Sequence, residues 1–170
     1  MGVLREVKIH EEMPTFLSSV ELVREGQSSS AGKIYSLAPN FAEVNARIAC
    51  PAMPMEDCQE VLDSMQGSTL LSAMDVKAAF NKIPQPKALE CFTGIITQDG
   101  IYTYQVMAWC FNVAPCHYQH VMNRVMNTPH PIVPVPFNGV YLDDISVGGE
   151  RVDDTWNHTL AGLWRIALSG

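Results

Sequence analysis

Three carboxylates stand out by where they fall. Asp75 closes the apolar run Leu70-Leu71-Ser72-Ala73-Met74, and the adjacent pair Asp143-Asp144 follows Val140-Tyr141-Leu142. Runs of this kind read as strands, so all three acids are predicted at strand ends, where a rigid scaffold holds reactive groups. Neighbouring carboxylates repel in a low-dielectric site unless a cation compensates them, and their hard oxygens suit magnesium, which keeps several waters and takes further ligands from substrate phosphates. Two such ions about 3.5–4 Å apart can activate an attacking hydroxyl and stabilise the leaving oxygen of an in-line phosphoryl displacement. The chemistry implied is nucleotidyl transfer. For each feature taken alone a plainer reading competes: Asp-Asp in a tight turn is also a solvated hairpin tip, and an Asp after an apolar strand is also a helix cap.

The elements that must position these acids can be read from punctuation and periodicity. A helix is predicted from Met55 to Gln66, behind Pro54, with Glu56 and Asp57 at its positive end, Val61, Leu62 and Met65 on one face, and Gly67 after it. Thr69 to Asp75 reads as a strand, and Ile95 to Thr97 with Ile101 to Met107 flank Asp99-Gly100 as a hairpin. A second helix starts near Pro115 and carries Tyr118, Val121, Met122, Val125 and Met126 at helical spacing as core residues. Thr128 to Asn138 is a proline-rich loop, and Gly139 to Asp143 with Ile145 to Gly148 are two short strands meeting at a turn. A last helix, capped by Asp153, is expected to bury Trp156, Leu160, Leu163, Trp164 and Ala167 on one face. Residues 1–32, ending in Gln27-Ser28-Ser29-Ser30-Ala31-Gly32, read as a poorly determined lead-in and flexible linker. The pattern is α+β, an antiparallel sheet with helices packed on one face.

Composition sets outer bounds. The chain has 170 residues, 47% of them hydrophobic, as expected of a globular fold. Its net charge of −7 is the wrong sign for gripping a polyanion through many phosphate contacts, unless carboxylates loaded with divalent cations become locally positive. The five cysteines, at 50, 58, 91, 110 and 116, form no C-x-x-C pair and leave an odd thiol, which points away from a zinc module or disulfide framework. A reduced, intracellular and soluble setting is expected, cytoplasmic particle or nucleus left open, with no membrane partner, because no stretch approaches the roughly 20 apolar residues of a bilayer span.

Four blocks in order then narrow the reading. Ser72-Ala73-Met74-Asp75-Val76-Lys77-Ala78-Ala79-Phe80-Asn81-Lys82-Ile83 resembles the first catalytic block of gypsy-type LTR retrotransposon reverse transcriptases, S-x-L-D-L-K-S-G-Y-H-Q-I. Val106 to Pro115 resembles their V-M-P-F-G-L-T-N-A-P, followed here by Tyr118-Gln119 and Met122-Asn123 where that family, shared with retroviral-like elements, has F-Q and M-N. Val140-Tyr141-Leu142-Asp143-Asp144-Ile145 matches the Y-x-D-D box, His158 matches a histidine of the following helix, and Tyr35 to Asn45 resembles the fingers segment W-R-x-x-x-D-Y-R-x-L-N.

The resemblance implies a fingers-and-palm domain over residues 33–170, cut before the thumb and without RNase H or integrase. It implies an RNA-directed DNA polymerase, a nucleotidyltransferase working on dNTPs and a primed RNA or DNA template, with the missing portions or a polyprotein around it. Asp75, Asp143 and Asp144 become catalytic metal ligands for two Mg²⁺ ions, with Mn²⁺ as the alternative ion. Substrate contacts fall to Val76 through its carbonyl, Phe80 beneath the incoming sugar, Trp109 against nucleotide or template, and Tyr141 near the primer end. Core packing is the plainer reading of both Phe80 and Trp109.

The match also departs from the family. Ser36 replaces the arginine that grips triphosphate, Asn40 an aspartate, Ala79 and Cys110 glycines, and Ala108 a proline. Losing the guanidinium removes a charge-assisted clamp that serine does not mimic. Two alternatives therefore stand beside the polymerase: a degenerate retroelement-derived domain acting as a binding or interaction module, and an unrelated metal-dependent phosphotransferase sharing only the acidic cluster.

Overall fold

The structure, a computed structural model, describes residues 2–28, 32–49, 55 and 57–169. In chain order its first elements are β1 (Leu4–Glu6), β2 (Leu17–Ser18), β3 (Val20–Ser28), β4 (Gly32–Pro39), α1 (Ala42–Asn45), α2 (Cys58–Ser64) and β5 (Leu70–Asp75). After two short 3₁₀ turns come β6 (Gly94–Ile96), β7 (Ile101–Tyr104), α3 (Ala114–Asn127), β8 (Asn138–Tyr141), β9 (Asp144–Gly149) and α4 (Val152–Leu168). The chain divides into two compact units, residues 1–51 with 80–114, and residues 52–79 with 115–170.

In the first unit, Asp99-Gly100 turns β6 into β7 as the hairpin signal predicts, with Ile96 opposite Ile101. β1 adds antiparallel to β7 and β2 parallel to β6, giving the sheet order β1-β7-β6-β2. A hydrophobic core gathers Phe41 and Val44 of the α1 region with Ile95, Tyr104, Val106, Ala108 and Phe111. The Phe41 and Phe111 rings stack at 4.6 Å between centroids, and Tyr104 meets Phe41 edge-on. Arg5 bridges Glu11 at 2.5 Å and Glu90 at 2.6 Å, fastening β1 to the segment ahead of β6.

Residues 2–28 are not the undetermined lead-in expected from their composition. They form β1, β2 and β3, and β3 pairs antiparallel with β4 from Val20 opposite Pro39 to Ser28 opposite Gly32. Ser29, Ser30 and Ala31 lie outside the described residues. β3 and β4 carry the strand-forming Val20, Leu22, Val23, Tyr35 and Leu37, a signal that the composition of the lead-in hides.

The second unit is built on a three-stranded antiparallel sheet, order β5-β9-β8. Val140, Ile145 and Val147 are buried on one face, against which α4 packs. α4 comes close because its contact residues are small: a Cβ on Gly162 would lie 3.4 Å from Met74 Cε, 3.3 Å from Met126 Cε and 3.8 Å from Val147 Cγ1. α2 supplies a smaller contact on the other face. Its Asp57 cap accepts from the Gln59 N–H, and Glu60 closes a capping box. α3 buries Tyr118, Met122 and Met126 of the expected face, leaves Val121 and Val125 half-buried, and buries Gln119, which is not on that face.

α4 differs from expectation in two ways. It starts at Val152, behind an Arg151 N-cap that makes no side-chain cap bond, so Asp153 sits in the first turn, favourable to the helix dipole but not a cap. The apolar stripe predicted to be buried is exposed, with Trp156 62%, Leu163 49% and Trp164 60% accessible. Burial falls instead on Thr155, Ala161, Gly162 and Arg165. The Arg165 guanidinium donates to the carbonyls of Val125, Thr128, Val133 and Pro134, so its charge is met by main-chain dipoles at the end of α3 and in the loop toward β8. Hydropathy points to the large apolar side chains, while close approach to the sheet selects Gly162, and Arg165 is buried because carbonyls meet its charge.

Gly139 of β8 is the tightest point against α2, because a Cβ there would lie 2.8 Å from Val61 Cγ1 and 3.3 Å from Met65 Sδ. Gly139→Ala should lower stability by about 1–3 kcal/mol, read as a lower urea midpoint at unchanged slope.

Candidate active site

The acids meet through strand register. β5 pairs with β9 so that Asp75 lies opposite Asp144, and β8 pairs with β9 so that Tyr141 also lies opposite Asp144. Directly opposed residues of an antiparallel pair project to the same face, so Asp75, Tyr141 and Asp144 share one. That face is the reverse of the one carrying Ile145 and Val147. It is open at Asp75 and Asp144, and also at Leu71 and Ala73 farther along β5. Asp143 is half-buried in the two-residue turn between β8 and β9, and its carbonyl accepts the Val76 N–H at 3.0 Å. This bond carries the main-chain contact between β5 and the turn one step past Asp75.

Tyr118, from the buried face of α3, reports where the side chains are. Burial, and then the negative charges of Asp143 and Asp75, push its phenol up to about 12. A phenol feels two carboxylates only when both are near it. Asp75 and Asp143, distant in sequence, both lie near enough to Tyr118 to act on its charge, and Asp144 lies opposite Asp75 across the strand pair. Helical spacing marks Tyr118 as core, which it is, and gives no sign of this second relation.

Two residues beside the acids have left-handed backbones, Ala78 at φ 53° and Leu142 at φ 53°. Such a conformation is uncommon outside glycine, asparagine and aspartate, and its concentration around a site marks backbone held by its surroundings.

The donor set suits a hard divalent cation. Asp75, Asp143 and Asp144 offer only carboxylate oxygens. Among the described residues, no group of three or more His, Cys, Asp or Glu side chains is placed to hold a metal ion together, so Asp75, Asp143 and Asp144 do not form the three-carboxylate ligand set expected from the sequence. Magnesium is commonly held by one or two carboxylates with the remainder from water and substrate phosphates. What the arrangement can do is hold such a cation on an open surface and leave it free to take a phosphate.

The other residues singled out by sequence belong to the first unit or to the strands just described. Phe80 is half-buried and packs against the first unit's core, while Trp109 is 44% exposed. Tyr141 and Val76 are half-buried in the second unit. Ser36 lies on β4, the Asn40 side chain accepts from the Ala42 N–H at 3.2 Å, and the Cys110 carbonyl accepts from the Asn45 amide at 2.9 Å. Burial pushes the Cys110 thiol above its ordinary range, so it is a packed rather than a reactive thiol. His158 contacts the Gly148 carbonyl through Nδ1 at 2.5 Å, joining α4 to β9. Among the described residues no helix is long and apolar enough to cross a membrane.

Comparison with known proteins gives the same direction. The family model described as reverse transcriptase (RNA-dependent DNA polymerase) matches residues 11–165, beginning well ahead of residue 33. The Transposon Tf2-3 polyprotein of Schizosaccharomyces pombe is 24% identical over 127 residues, 75% of this chain and 9% of that protein. The Transposon Tf2-7 polyprotein of the same organism is 25% identical over 87 residues, 51% of this chain and 6% of its own length. The chain thus spans under a tenth of the curated relatives it matches. Among solved structures, a foamy viral protease-reverse transcriptase in complex with RNA/DNA hybrid superposes with TM-score 0.77 at 16% identity, covering 98% of this chain and 20% of the other. A selenomethionine-labelled Prototype Foamy Virus protease-reverse transcriptase mutant gives TM-score 0.81 at 16% identity, over 99% and 21%. At this identity the likeness is one of fold.

The influence of both acids on Tyr118 can be tested by titration. The Tyr118 phenol should stay protonated past its ordinary value of 10, toward about 12, and both Asp75→Asn and Asp143→Asn should move it down, followed by ¹³C NMR of the tyrosine ring. The stability linked to this group is complete below pH 10 and is lost as pH rises toward 12, because the unfolded chain releases its proton first.

Proposed function

This chain belongs to the reverse transcriptase (RNA-dependent DNA polymerase) family, and we propose that its second unit carries the centre for RNA-directed DNA synthesis. The reaction is transfer of a deoxynucleotidyl group from a dNTP to a primer 3′-hydroxyl on an RNA or DNA template. The 3′-hydroxyl gives up its proton to solvent as its oxygen bonds to the α-phosphorus, the bond from that phosphorus to the α–β bridging oxygen breaks, and pyrophosphate leaves. The observation that carries this reading is the pairing of β5 with β9, together with the shared influence of Asp75 and Asp143 on Tyr118.

Asp75 and Asp143 are the residues that would hold divalent cations, with Asp144 beside them on the Asp75 face. Bound there, two Mg²⁺ ions, or Mn²⁺ in their place, supply charge neutralisation at the attacking and leaving oxygens. The chain's own part is to hold these carboxylates at the ends of paired strands, so that little reorganisation is needed as charge develops. Tyr118 is a buried, neutral phenol near these carboxylates. The open face over Asp75 and Asp144 leaves room for a polyanion. Neutralising the carboxylates answers the net charge of −7, since a loaded cluster attracts phosphate where an empty one repels it.

Further roles follow from the family motifs. Phe80 is assigned beneath the sugar of the incoming nucleotide, where a flat ring disfavours a ribose 2′-hydroxyl and so selects dNTPs. Trp109 is assigned to nucleotide or template, Tyr141 to the primer end, and the Val76 carbonyl to the metal centre. Residues 33–170 are assigned as fingers and palm, and the strands of residues 4–28 extend that body toward the N-terminus. In the assembled protein the relatives' length points to a polyprotein that supplies further domains.

On a primed RNA template the chain should incorporate dNTPs only with Mg²⁺ or Mn²⁺ present. Asp75→Asn or Asp143→Asn should lower the rate on the order of 10³-fold or more, with circular dichroism unchanged. Synthesis that survives the double substitution would remove the proposal.

A further inference from the structure

Gln119 of α3 is among the most buried polar side chains of the second unit, at 3% exposure, and its carboxamide is fully engaged. Oε1 accepts the Leu142 N–H at 2.6 Å, while Nε2 donates to the Val140 carbonyl at 2.8 Å and to Asn123 Oδ1 at 3.0 Å. Val140 and Leu142 flank Tyr141, so one side chain bonds the peptide groups on both sides of it. β8 is the outer strand of its sheet, and Tyr141 is already paired with Asp144 on the β9 side. The groups that Gln119 satisfies are those left over on the free edge, as a further strand would do.

The turn held in this way is strained. Leu142 has φ 53° at the first central position, and Asp143 at the second is not among the positive-φ residues. A positive φ at the first central place of a two-residue hairpin turn ordinarily belongs to glycine. A leucine there needs outside support, or its peptide groups relax to a commoner turn and carry Asp143 with them. The Leu142 N–H and the Val140 carbonyl fix which end of the carboxamide faces which peptide, and Asn123 Oδ1 accepts a second bond from the amino group.

We infer that Gln119 is a positioning residue for nucleotidyl transfer: clamped across Tyr141, it holds the strained Leu142-Asp143 turn and so sets where the Asp143 carboxylate stands. This rests on the polymerase reading above. Gln119 acts through the backbone and touches no substrate, so the chemical step should suffer and not nucleotide binding.

The test uses the full chain on a primed RNA template with Mg²⁺ and dNTPs, at a temperature where circular dichroism shows every variant folded. Gln119→Met keeps the volume and loses all three hydrogen bonds; Gln119→Asn keeps the amide but is too short to span the two peptides. Each should lower kcat by about 10- to 100-fold while leaving KM for dNTP within about twofold. Independently of turnover, the Leu142 amide should exchange with solvent faster in Gln119→Met, followed by NMR. Parental kcat in either variant, a loss confined to KM, or a Leu142 amide equally protected without the glutamine would overturn the assignment. A parent chain with no metal-dependent synthesis counts against the polymerase reading instead, and Leu142 exchange still decides whether the clamp exists.

Discussion

The pairing of β5 with β9 is the constraint on which the rest of the second unit depends. Side chains alternate faces along a strand, so the register that sets Asp75 opposite Asp144 also sets Met74 opposite Ile145 and Ser72 opposite Val147. Ile145 and Val147 are fully buried, while Asp75 and Asp144 are exposed. A slip of one residue would turn Asp75 into the layer beneath α4 and bring Met74 out into water. Hydrophobic burial on one face thus enforces carboxylate presentation on the other. For Asp75 and Asp144 no separate interaction is required, because the cost of misplacing them is borne by the core.

The elements around the sheet protect that register at its weak points. α4 lies close to the sheet through Gly162, and its buried Arg165 gathers carbonyls from the end of α3 and the loop toward β8. α2 closes on β8 at Gly139 and meets β9 through Met65 and Ser68 at Gly148, two places where any Cβ would collide. The free edge of β8 and the left-handed Leu142 are met by the Gln119 carboxamide. Tyr118, one residue before it, places a neutral phenol near two negative charges, and neighbouring residues of one helix thereby serve the backbone and the electrostatics of the same turn.

Charge explains why such a centre depends on what it binds. An acidic chain with carboxylates on an open face repels nucleic acid until those carboxylates are neutralised. The exposed aromatic and aliphatic residues of α4 present a separate surface away from the acids in sequence, where Trp156, Leu163 and Trp164 stand clear of the unit's own core.

What could be read from the letters alone was local. Capping residues and Gly67 mark α2, Asp99-Gly100 marks the β6–β7 hairpin, Pro115 marks the start of α3, and the apolar runs before Asp75 and before Asp143 mark β5 and β8. Each of these signals lies within a few residues of what it specifies. Tertiary structure alone decided the remainder. It paired the strands of residues 2–28, whose signal composition hides, with β4, β6 and β7. It buried Gly162 and Arg165 and left Trp156 and Trp164 outside, because close approach to the sheet and carbonyls that meet a charge, not hydropathy, chose the buried stripe of α4. It also set Tyr118 and Gln119 against a turn far along the chain. The physical reason is common to all three: they depend on the partner across the contact, and a sequence states the spacing of residues along one chain but not which distant backbone will fill the space beside them.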